Sequence, residues 1–94
     1  MQSNFLLGAL KISDGARAAL RRIPHDLIAR HAINEHGSLS IRERRCNEVG
    51  MKTLGEIISR YPIDPTDPSL GHVMVVTEAH WGETAVVLEE EIER

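Results

Sequence analysis

Three prolines within seven residues, Pro62, Pro65 and Pro68, alternate with Asp64, Asp67 and Ser69 and run into Gly71. Proline fixes φ and has no amide proton, so residues 62–71 can neither continue a helix nor donate to a sheet ladder. They form a stiff loop that divides a helix-patterned first part from a β-branched second part. With 94 residues in all, the two parts share one core in a single domain over 1–94. Phe5, Tyr61 and Trp81 are its only aromatics, so that core is aliphatic.

Before the loop, residues 4–12 are apolar around Gly8 and read as a strand with a bulge or close backbone approach there. Ser13 or Asp14 caps a helix carrying Ala16, Ala19, Leu20 and Ile23 at helical spacing. Pro24 opens a second helix, expected to run to His36 with Leu27, Ile28, His31 and Ala32 inward and Gly37 as its stop. Ser40 and Glu43 have the spacing of a capping box at the start of a third helix, and Gly50 is expected to end it. Residues 54–63 fit either period, and a strand is favoured after about Lys52. Beyond the loop, 72–77 and 83–88 are rich in β-branched residues and form a hairpin turning at Trp81 and Gly82. The expected class is α+β in the order βαα(α)βββ, an antiparallel sheet of three or four strands with helices on one face.

Charge is divided along the same line. Residues 1–60 carry ten Lys/Arg against six Asp/Glu, a balance of +4, whereas 61–94 carry Arg94 alone against eight acids, a balance of −7. Glu89, Glu90, Glu91 and Glu93 concentrate that acidity in the end segment 89–94 and are the candidate partner-binding residues. Cys46 is the single cysteine and closes no internal disulfide, and the longest uncharged apolar runs, 4–10 and 73–77, fall far short of the ~20 residues of a membrane span. A cytoplasmic location away from membranes is expected.

No catalytic centre shows in the sequence. His31 and His36 are five apart and differ by about 140° around a helix, so they do not share a face as zinc ligands must. Cys46 pairs with Val49 at i, i+3 and is expected to pack inward. Asp64 and Asp67 are expected to cap turns. No phosphate-binding glycine loop or nucleophile elbow occurs. The chain is therefore expected to be no enzyme, and to need no cofactor and no metal. A partial helix-turn-helix over 41–60, with Cys46 four residues before Gly50, supports a different class, a DNA-binding regulator using Arg42, Arg44, Arg45 and Lys52. Arg45, Glu56 and Ser59 occupy positions that such a motif keeps apolar.

Phe5-Leu-Leu-Gly8, Ser13-Asp-Gly-Ala16, Arg30-His31, Asn47-Glu48, Ile58-Ser-Arg-Tyr61, Val76-Thr-Glu78 and Val87-Leu88 together resemble a family of roughly ninety-residue proteins of plasmids, integrative elements and phages. These plasmid-related proteins often carry the label "type I restriction endonuclease subunit M". The chain departs from the family pattern at Pro62 to Pro68 and at Trp81-Gly82. A methylation subunit needs an adenosylmethionine-binding domain and a base-flipping loop, which 94 residues cannot hold. The resemblance implies a mobile-element protein that binds a host or element protein complex. Its expected role is an inhibitor of a host defence system, anti-CRISPR or anti-restriction. A homodimer is expected as well, because Val75, Trp81, Val86 and Leu88 offer more apolar hairpin surface than thin helices cover.

Overall fold

Ser13 accepts a hydrogen bond from the Ala16 amide through its hydroxyl (3.0 Å) and so starts the first helix one residue after the first strand ends. A computed structural model describes residues 4–92. These form strand β1 (Ala9–Ile12), helices α1 (Asp14–Leu20), α2 (His25–Ala32) and α3 (Ile41–Thr53), and strands β2 (Ile57–Pro62), β3 (His72–Thr77) and β4 (Glu83–Leu88). The α+β class and the element order are as the sequence indicates, and within 54–63 the strand occupies Ile57–Pro62.

One sheet runs β1-β4-β3-β2. β2, β3 and β4 are antiparallel neighbours, but β1 lies parallel to β4, with Ala9 opposite Glu83 and Ile12 opposite Val86. The expected all-antiparallel sheet is thus corrected at its edge. A hairpin fixes the direction of β4 against β3, whereas β1 reaches β4 only through the whole intervening chain. Gly8 sets the approach: at φ +66° its missing Cβ leaves room for the Gly82 carbonyl, and the Ala9 amide donates to that oxygen (3.0 Å).

Helices α1 and α2 cover one sheet face. Ala16, Leu27 and Ile28 pack there on Tyr61, Val73, Val75 and Val86, flanked by Leu7, Ile12, Leu20, Ile63 and Leu88. Val75 and Val86, expected to need a second subunit, are fully covered within one chain. Trp81 and Leu88 are half-buried.

α3 lies along the outer edge of β2. The Asn47 side chain imitates a neighbouring strand there: Nδ2 donates to the Ile58 carbonyl (2.7 Å) and Oδ1 accepts from the Ile58 amide (2.9 Å). Two residues on, the Arg60 amide donates to the His36 carbonyl and the Ser38 amide to the Arg60 carbonyl, both at 2.9 Å. Loop 36–38 and Asn47 thereby close an edge that would otherwise template pairing with another chain. Gly37 is needed beside Arg60, where a Cβ would strike the Arg60 carbonyl.

Candidate functional site

The buried face of α2 delivers His31 between β2 and β3, where a chain of side-chain hydrogen bonds crosses the core. His36 Nδ1 meets Ser59 Oγ (2.7 Å), which meets His31 Nδ1 (2.6 Å); His31 Nε2 meets Thr77 Oγ1 (2.9 Å), which meets Thr84 Oγ1 (2.6 Å). Thr84 ends the chain by donating to the Leu7 carbonyl (2.6 Å). A carbonyl only accepts, so its end of the chain dictates every other role. Thr84 gives its proton to Leu7, Thr77 must give its own to Thr84, and His31 must donate from Nε2. His31 Nδ1 then accepts from Ser59, and His36 donates from Nδ1. Counting donors thus fixes His31 as the neutral Nε2–H tautomer and places a proton on Nδ1 of His36.

Desolvation, with a smaller contribution from the nearby His36, pushes the His31 imidazole down to about 3, and burial lowers His36 as well. Phe5 closes the site from outside, its ring edge-on to His31 (centroids 5.2 Å apart) and tilted on Trp81. Ser59 is completely buried, so this Ser–His pair offers no oxygen to a substrate. The inward place of His31 follows from helical spacing. Ser59, Thr77 and Thr84 escape the sequence reading, since a hydroxyl in an alternating strand looks the same on either face.

The second polar centre is Arg60. Its Nη1 and Nη2 bind the two carboxylate oxygens of Glu43 at 2.8 Å, its Nε binds Glu89 at 2.5 Å, and Nη1 also donates to the Ser38 carbonyl. Chiefly through the Arg60 hydrogen bonds, the Glu43 carboxyl is held down to about 2. The capping box exists as expected, with Ser40 and Glu43 satisfying each other's amides.

These bonds change the reading of the acidic end. Glu89 is held by Arg60. Glu91 Oε1 accepts from Ser13 Oγ and the Leu88 amide, both at 2.7 Å. Glu90 alone of the described three is exposed with no side-chain hydrogen bond or ion pair, and Glu93 lies outside the described residues. Glu89 and Glu91 fasten the C-terminal 3-10 turn (Glu89–Glu91) to β2 and to the start of α1. Two of the four carboxylates of the expected docking face, Glu89 and Glu91, are thus bound to Arg60 and Ser13, distant in sequence, while remaining exposed.

The four cations assigned to DNA, Arg42, Arg44, Arg45 and Lys52, all lie on α3, all are exposed, and none forms a salt bridge with a described residue. The helix-turn-helix itself is absent. α3 is followed by strand β2, because Ile57, Ser59 and Tyr61 alternate onto the core face. Gly50 does not end α3; it sits inside the helix, where a Cβ would meet the Glu56 carbonyl at 2.5 Å and Ile57 Cδ1 at 2.9 Å. Cys46 is exposed, not packed inward, and Val49 is 60% exposed. Val49 lies well around the helix from Asn47 and Gly50, whereas Cys46, one turn before Gly50, stands at the rim of that fastened side.

Arg42, Arg45, Cys46 and Val49 instead border a groove of about 440 Å³ whose far side is Gly55, Glu56 and Ile58. Among the described residues no three His, Cys, Asp or Glu side chains converge as metal ligands would. Asp64 and Asp67 cap turns as expected, accepting from Thr66 and Ser69. No helix of the described residues is long and apolar enough to cross a membrane. No protein-family model, no curated protein and no solved structure matches this chain.

Proposed function

We propose that this chain is a non-enzymatic protein-binding module that works through the outer face of α3 rather than through its acidic end. One observation carries the reading: α3 is fastened on one side only, by Glu43, Asn47 and Gly50, and leaves Ile41 72% and Val49 60% exposed beside a groove, among four cations that form no salt bridge with a described residue. A helix polar all round would need no partner, but large aliphatics at such exposure amid arginines match the composition of binding surfaces. The mobile-element setting belongs to the same reading, since a protein that blocks a host defence complex needs a surface and no catalytic group.

A photo-reactive amino acid at Val49, compared with one at Glu90, tests it in the cells that make the protein. Adducts are expected from position 49 and not from 90. Adducts from 90 alone, or from neither, refute the α3 reading.

A further inference from the structure

Resting on the α3 reading, we propose that the occupant of this face is an acidic amphipathic helix of a protein partner, lying along α3 with its apolar side in the groove. At 3.6 residues per turn Arg42, Arg45, Val49 and Lys52 fall in one stripe at spacings of three, four and three. The stripe is about 15 Å long at 1.5 Å per residue, which is the contact length of roughly three turns of a partner helix. Its positive field is little offset locally. Glu43, the acid at the helix start, is neutralised by Arg60, so Glu48 is the only other carboxylate on α3.

The cations of the stripe call for carboxylates, and the exposed Ile41 and Val49 with the Ile58 floor of the groove call for aliphatic side chains between them. Duplex DNA satisfies the first demand and not the second. Its phosphates find no complement in the exposed aliphatic side chains of Ile41 and Val49. The recognition-helix arrangement that would carry α3 into a major groove is missing, because β2 follows it. A partner with both charge and apolar residues fits every part of the face.

The probe is a selected peptide. Random peptides of about 14 residues, enough for nearly four helical turns, are displayed on phage and selected against the full chain at physiological salt. The enriched sequences are expected to carry Asp and Glu around Leu or Ile at spacings of three and four. Synthetic copies should bind at least tenfold more weakly to R45E and to V49D, and equally well to E90Q. Both α3 positions are exposed, so the variants keep the fold, and an unchanged amide spectrum checks this.

Enrichment of neutral or basic peptides, with loss still confined to R45E and V49D, overturns the acidic-helix proposal and leaves the α3 face standing. Tighter binding of a duplex DNA fragment than of the peptides, lost in R45E, overturns it in favour of nucleic acid. Self-association removed by the same variants assigns the face to a second copy and overturns it too. Peptide binding that neither variant weakens refutes both the proposal and the α3 reading beneath it.

Discussion

A single backbone carbonyl, that of Leu7, sets the proton positions of five side chains, because it accepts from Thr84 and cannot donate. The expected outcome is specific: His31 is the Nε2–H tautomer and His36 the Nδ1–H tautomer. Long-range nitrogen–proton correlation spectra near neutral pH read this directly, since protonated and bare ring nitrogens resonate far apart. A His31 signal with its proton on Nδ1 contradicts the donor count, as that proton would turn the Ser59 hydroxyl outward. The sequence shows His31 on the apolar stripe of α2 but hides its partners. Ser59, Thr77 and Thr84 come together only through the register that sets Thr77 opposite both Ile57 and Thr84. Such a register is a property of three strands at once, not of any short segment.

At the scale of the element, helix starts were readable and helix ends were not. Ser13 and Ser40 cap as expected, since a cap needs only a side chain and its own next turn. The sequence points to glycines for the ends, and the chain uses other residues. α2 stops at Ala32, with Asn34 left-handed at φ 64° and the Glu35 amide reaching back to the Arg30 carbonyl (2.9 Å). α3 stops with Leu54 at φ 56° and the Gly55 amide on the Gly50 carbonyl (2.9 Å). Gly37 and Gly50 are reserved for close approaches to β2 and to the loop before it, demands set by residues six or more positions away. The left-handed conformation costs a branched side chain about 1 kcal/mol, and Leu54 is half exposed, so it has little packing to lose. Leu54→Gly is therefore expected to stabilise the protein by about 0.5 kcal/mol after the larger chain entropy of glycine is set against it. That corresponds to a rise of about 2–4 °C in Tm for a domain of this size. A fall in Tm would show that the leucine side chain holds the end of α3 by contacts.

For the whole molecule, the polar ties join the two ends of the chain to each other and to its middle. Thr84 holds Leu7, the Asn4 amide binds the Ala32 carbonyl (2.8 Å), and Glu89 and Glu91 return to Arg60 and Ser13. Two of these centres rest on a fixed protonation state, and both fail in acid. His31 is neutral in the fold down to about 3, while the same imidazole in the unfolded chain titrates near 6.5. Below about pH 6.5 the unfolded state thus binds a proton that the fold refuses, and stability drops as pH falls toward 3. Glu43 adds to this at lower pH: held down to about 2 against an ordinary 4.5, its carboxylate favours the fold above 4.5, and that contribution is lost as pH falls through 4.5 toward 2. The His31 shift alone is equivalent to about 4–5 kcal/mol over its full range, comparable to the entire stability of many domains near this size. Urea midpoints should hold level above about pH 7 and then decline between about pH 6.5 and 4.5 with a slope approaching one proton taken up on unfolding. His31→Gln keeps hydrogen-bonding groups without titrating and should make that decline much shallower, leaving the share of His36, which burial also lowers, and the later loss from Glu43. A midpoint that stays constant from about pH 7 to about pH 5 in the unaltered chain would mean that the core admits a charged imidazole, with Ser59 turned toward His36.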